Sequence, residues 1–167
     1  PPGGQHLFND LAIAKDGGLF LTDSEEGAVY RLRAGQDQLE IFQPAGRLFY
    51  PNGIVLSDDG RFLYVAHVFG IVAWELGSGR TFDLPSPDEV TVVGIDGLSF
   101  YRGGLVAVQN GMQPNRVAYF PLAPSLDRVT GESVLERGNP NFEIPTTGAV
   151  AGDAYDFIAY SQLRALG

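Results

Sequence analysis

Apolar residues along this chain fall in short runs separated by polar and glycine-rich breaks. Starting at Leu11 the runs read LAIA, LFLTD and AVYRL; starting at Ile54 they read IVLS, RFLYVA and IVAWEL; starting at Leu98 they read LSFY, LVAVQ and RVAYFPL. They are too short for helices, and they are rich in Val, Ile, Phe and Tyr, so they predict strands. Further strands are expected at LEIFQP (39–44), RTFDLP (80–85) and SVLER (133–137).

The runs recur in a fixed frame. Each triplet follows a polar dipeptide, Asn9-Asp10, Asn52-Gly53 or Asp96-Gly97, and a second break stands seven and eight positions on, at Asp16-Gly17, Asp59-Gly60 and Gly103-Gly104. A weaker copy begins at Thr147-Gly148 and continues as AVAG and YDFIAYSQL. The copies start 43, 44 and 51 residues apart (9, 52, 96 and 147). A repeat of this length made only of strands predicts an all-β fold, a β-propeller with four blade-like units near 9–44, 52–85, 96–137 and 147–167 in one domain spanning 1–167. The breaks at plus seven and eight suggest two-residue hairpins between first and second strands. The fourth unit ends early, which leaves an open sheet edge, so missing strands or a second chain completing the edges are expected.

Composition narrows the partners. The net charge is −9, from 20 acidic and 11 basic residues, and no basic stripe is present to meet phosphates, which argues against nucleic acid. No apolar run approaches the roughly 18 to 20 residues of a membrane helix. There is no cysteine, which excludes disulfides, thiolate metal sites and cysteine nucleophiles. No G-x-S-x-G elbow supports a Ser–His–Asp triad. The acidic stretch Asp23–Gly27 lacks the spacing of an EF-hand loop.

In a propeller the innermost strands line a central channel, so residues at one end of successive inner strands converge on the axis. Asn9, Asn52 and Asp96 hold that position in three units. Each alone reads as a turn residue bonding its own backbone. In register, they offer a ring of oxygen donors suited to a hard cation such as Ca²⁺, Mg²⁺ or Mn²⁺. Asp23, His67 and Gln109 follow the second runs of their units; they are read either as a ring of substrate contacts at the channel mouth or as loop residues with local hydrogen bonds. Trp74 and Tyr119 are expected to pack between adjacent blades.

The segments FNDLAIAKDGGLFLTDS, YPNGIVLSDDGRFLYVA and GIDGLSFYRGGLVAVQNG resemble three successive blades of the gluconolactonase and senescence-marker-protein (regucalcin-like) family, and IPTTGAVAGDAYDFIAYSQL is similar to a late blade. The resemblance implies a six-bladed propeller that hydrolyses lactones or related esters with one divalent cation at the axis, Ca²⁺ before Mg²⁺, Mn²⁺ or Zn²⁺. It implies that Asn52 and Asp96 are metal ligands, that Asp96 is also the general base, and that Asn9 lies near metal and substrate. The family's further Glu ligand has no counterpart here. Two functions are therefore expected to compete: a metal-dependent hydrolase, and a non-catalytic propeller that binds a small molecule or a protein.

Overall fold

The computed structural model describes residues 4–163, so residues 164–167 of the last expected unit lie outside the described residues. Three antiparallel four-stranded sheets and one two-stranded sheet follow one another along the chain. Sheet 1 contains β1 (Phe8–Ile13), β2 (Leu19–Asp23), β3 (Ala28–Leu32) and β4 (Glu40–Gln43). Sheet 2 contains β5 (Ile54–Leu56), β6 (Phe62–His67), β7 (Gly70–Glu75) and β8 (Arg80–Asp83). Sheet 3 contains β9 (Ile95–Tyr101), β10 (Gly104–Gln109), β11 (Arg116–Pro121) and β12 (Ser133–Arg137), and sheet 4 is the hairpin of β13 (Gly148–Ala151) and β14 (Ala154–Phe157). Within each sheet the strands are ordered as in the sequence, and the first strands β1, β5, β9 and β13 lie side by side. This is a β-propeller arrangement, with sheets as blades around an axis lined by their first strands.

The apolar runs are continuous, rather than alternating, because the middle blades are buried on both faces. On β6, Leu63 and Val65 pack with Phe20, Val29 and Trp74 between sheets 1 and 2. The intervening Phe62, Tyr64 and Ala66 pack with Leu98, Leu105 and Phe120 between sheets 2 and 3. Val106, Val108 and Val117 close a third layer against Tyr119, Tyr155 and Phe157 of sheets 3 and 4. Trp74 and Tyr119 thus pack between blades as expected.

The hairpin expectation needs a correction. In sheets 1 and 2 the first and second strands are joined by residues 14–18 and 57–61, longer connections than two residues. Gly17 and Gly60 adopt φ of 87° and 70° there. In the second loop Asp59 Oδ1 accepts from Ser57 Oγ and from Arg61 N, while Ser57 Oγ accepts from Phe62 N. Sheets 3 and 4 have the expected two-residue turns: Arg102-Gly103, one position earlier than the frame suggested and with both residues at positive φ (44° and 76°), and Gly152-Asp153, with Gly152 at φ 63°.

Candidate functional site at the axial end of the inner strands

In the first three units the opening dipeptides are bulges at the start of the inner strands, rather than turns. Phe8 pairs with Asp23 and Leu11 with Leu21, so Asn9 and Asp10 together oppose Thr22. Ile95 pairs with Gln109 and Leu98 with Ala107, so Asp96 and Gly97 together oppose Val108. In sheet 2, Asn52 N donates to Ala66 O while Ala66 N donates to Gly53 O, again two residues against one. A bulge bends the strand and re-aims its side chains, and here the same device recurs at the same end of three inner strands.

The second residue of each bulge is chosen by close approach. A Cβ on Gly53 would stand 2.5 Å from Asp96 O and 2.7 Å from Leu98 N. One on Gly97 would stand 2.6 Å from Thr147 Cα. Neither glycine has positive φ, so room for the neighbouring inner strand, not turn geometry, requires them. Sheet 1 differs: Asp10 takes this position, and its Oδ2 accepts from Ile54 N across the junction at 3.1 Å. Thr22 Oγ1 reinforces the junction by donating to Asn52 O at 2.8 Å.

The first residues of the bulges are held differently. Asn9 is exposed and its Nδ2 donates to Ser24 Oγ at 3.0 Å, while Ser24 Oγ donates to Pro51 O at 2.6 Å. Asp96 is half-buried; its Oδ2 accepts from Asn110 Nδ2 at 2.5 Å, and the same amide donates to Pro145 O at 2.9 Å. In both cases a polar residue just after the second strand ties the bulge to the proline that leads into the next blade. Asn52 is half-buried, and its side-chain amide makes no hydrogen bond to any described residue.

Burial pushes Asp96 above the ordinary carboxylate range, the charge of Asp10 adds to this, and the bond from Asn110 opposes it. Burial likewise raises Asp10, against the hydrogen bonds from Ile54 N and Leu11 N. Tyr155 is pushed up to about 12, chiefly by burial and further by the charges of Asp10 and Asp96, with Ser99 pulling the other way. The axis therefore carries negative potential from two carboxylates. Below the bulges a cleft of about 290 Å³ runs between the inner strands, lined by Asp10, Ile54, Leu98, Ser99, Thr147 and Val150 among others. Asp10, Asn110 and Tyr155 are absent from the sequence expectation. The signal for Asp10 is visible in hindsight, since a carboxylate stands where the next two units carry Gly.

The three residues expected to ring the channel mouth do not do so together. Asp23 is 0% exposed; its Oδ2 bonds His6 Nδ1 at 2.5 Å, and its Oδ1 accepts from Leu7 N and Glu26 N. Burial alone would raise its pKa, but the bonds from His6, Leu7 N and Glu26 N prevail and hold it below the ordinary value. Gln109 is also 0% exposed: Nε2 donates to Thr91 O and Val93 O, and Oε1 accepts from Arg116 Nε at 2.7 Å. Both are internal ties with no surface to offer a substrate. His67 remains half-buried in a separate groove over sheet 2 with Arg47, Phe69 and Asp83, where burial lowers its pKa.

Among the described residues, one group of three ionisable side chains has ligand atoms close enough for a cation: His6, Asp23 and Glu26, within 4.8 Å of one another. Its hydrogen bonds, including Tyr30 Oη to Glu26 Oε2 at 2.5 Å, account for the grouping without an ion.

No family model matches the chain, and no curated protein matches it. Solved structures do resemble it. A chain of a nidogen/laminin complex is 15% identical with a TM-score of 0.67, over 91% of this chain and 72% of that one. Virginiamycin B lyase from Staphylococcus aureus is 17% identical with a TM-score of 0.65, over 95% of this chain and 50% of the lyase. A gluconolactonase from Xanthomonas campestris is 20% identical with a TM-score of 0.64, over 92% of this chain and 54% of that enzyme. At such identities the likeness establishes the propeller fold. The chain spans about half the length of the lyase and of the gluconolactonase.

Proposed function

We propose that the axial end of the inner strands is the active site of a metal-dependent hydrolase of lactones or related esters. The observation that carries this reading is Asp96: a half-buried carboxylate on a bulge, held by Asn110, with its pKa raised by burial and by Asp10. The donor set fits a hard divalent cation, Ca²⁺ foremost. The Asn52 amide makes no hydrogen bond to the described residues, the Asp96 carboxylate keeps capacity beyond Asn110, and the negative potential of Asp10 and Asp96 favours a cation. Asn52 and Asp96 would hold the ion, which when bound would polarise the substrate carbonyl.

The chain's own groups do the rest. Asp96, with its elevated pKa, accepts the proton of the attacking water as its oxygen bonds the carbonyl carbon. The ring or ester C–O bond then breaks, and the departing oxygen takes that proton back from Asp96, leaving a hydroxy acid, or an acid and an alcohol. Asn110 fixes the carboxylate's direction, and Asp10 keeps its proton affinity high. Asn9, tied to Ser24, stands at the next bulge as a contact for substrate hydroxyl or carbonyl groups.

The test is hydrolysis of δ-valerolactone followed with a pH indicator in Ca²⁺ or Mn²⁺. Asp96→Ala and Asn52→Ala should each lower kcat/KM by about 100-fold or more, as loss of a general base or metal ligand does. Unchanged rates in both variants would remove the reading and leave a non-catalytic binding propeller.

A further inference from the structure

Four large apolar side chains are exposed at the end of sheet 2 where β6 turns into β7: Phe49 at 63%, Tyr50 at 45%, Val68 at 42% and Phe69 at 70%. Phe49 and Tyr50 belong to the connection from sheet 1, and Val68-Phe69 form the turn between β6 and β7. The two segments are fastened, because Val68 N donates to Phe49 O at 2.9 Å. The Phe49 and Phe69 rings lie 5.6 Å apart, and the His67 ring meets Phe69 edge-on at 6.0 Å. Tyr50 is held at φ 52°, a left-handed conformation that a bulky residue rarely adopts and that tends to occur at ligand clamps. Sheets 1 and 3 flank this blade, and neither covers these rings.

The patch adjoins Asn52 along the chain. Tyr50, Pro51 and Asn52 are consecutive, and Asn52 N bonds Ala66 O one residue before His67. Two grooves meet at Phe69 and Arg47, one reaching Glu26 and Tyr50, the other reaching His67 and Asp83. The nearby Arg47 is paired with Asp83 at 3.0 Å, and Glu25 and Glu26 line the first groove opposite the rings, so the platform itself offers apolar faces. Such a surface fits an uncharged apolar group.

We infer that Phe49, Tyr50 and Phe69 form a specificity platform for an apolar ring carried by the substrate, so that the preferred lactone or ester bears a bulky apolar substituent rather than a set of hydroxyls. This rests on the hydrolase reading for the placement of the carbonyl at Asn52 and Asp96. The rings stack on the substituent and shed water while the ester group reaches the axis.

The experiment compares γ-butyrolactone with γ-phenyl-γ-butyrolactone on the intact chain, reading affinity and saturation-transfer NMR as well as turnover. The phenyl lactone should bind about ten-fold more tightly, as burial of one ring allows, with the strongest transfer on its phenyl protons. The double variant Phe49→Ser/Phe69→Ser should abolish that advantage and leave affinity for γ-butyrolactone unchanged. Leu135→Ser, an exposed apolar position on β12, should keep the advantage. Because all three side chains are exposed, melting temperatures should stay together, which separates loss of the platform from loss of the fold. Equal affinity for the two lactones, or an advantage that survives the double variant, overturns the platform. Platform-dependent binding without turnover instead upholds the platform and sinks the hydrolase reading.

Discussion

Replacing Gly53 with Ala tests why the second position of the bulge is glycine. The added Cβ would lie 2.5 Å from Asp96 O, 2.7 Å from Leu98 N and 2.8 Å from Leu98 Cβ. The first two are backbone atoms of a strand held by sheet 3, so no flexible tip can yield, and β5 and β9 must move apart. Overpacking of this kind costs about 3 kcal/mol, the upper part of its usual span. For a chain of 167 residues that cost corresponds to a fall of about 6–12 °C in Tm. Gly77→Ala is the matched control: nothing stands within 4 Å of its Cβ and its φ is not positive, so Tm should hold or rise slightly. Thermal melting by circular dichroism, with urea midpoints as a second measure, gives both values. The moved strand also carries Asp96, so Ca²⁺ affinity should fall with Tm in Gly53→Ala. If Gly53→Ala melts within about 2 °C of the parent, below the effect of 1 kcal/mol, the close-approach explanation is wrong.

Other outcomes follow from the same contacts. Gln109→Ala removes the internal tie of Thr91 O, Val93 O and Arg116, and should cost about 3 kcal/mol in urea unfolding while leaving ligand affinity unchanged. A change in substrate affinity at full stability would restore Gln109 to the site. Asp23 is held below its ordinary pKa, so it contributes stability above the unfolded carboxyl's pKa and loses it as pH falls through the folded value. Asp23→Asn should therefore lower Tm most at neutral pH, with the gap closing in acid; a gap that widened in acid would reverse the sign. Asn110→Ala frees the Asp96 carboxylate from its tie to Pro145 and should weaken Ca²⁺ binding about ten-fold, readable by calorimetry.

The repeat was legible because a blade repeats its burial. Leu63 and Val65 face one layer, Phe62 and Tyr64 the next, and the apolar run records both. The bulges were not legible, because Asn-Gly and Asp-Gly serve turns and bulges alike. What separates the uses is φ, which is positive at Gly60 and not at Gly53. The ring of Asp23, His67 and Gln109 failed for a related reason. Equivalent places at the ends of second strands do not decide which way a side chain leaves the sheet. Hydrogen bonds from His6 and the Leu7 amide draw Asp23 inward, and Arg116 draws Gln109 inward. Asp10 escaped notice because its role is a bond to a backbone amide of the next blade, a partner far away in sequence.

The central claim is that the bulges place Asn52 and Asp96 to share one cation. Anomalous diffraction from crystals soaked in Mn²⁺ tests it most directly. The account predicts a single strong peak at the axial end, within about 2.6 Å of Asn52 Oδ1 and an Asp96 carboxylate oxygen, that disappears in Asp96→Ala. A bare axis, with the peak at His6, Asp23 and Glu26 or nowhere, would contradict it.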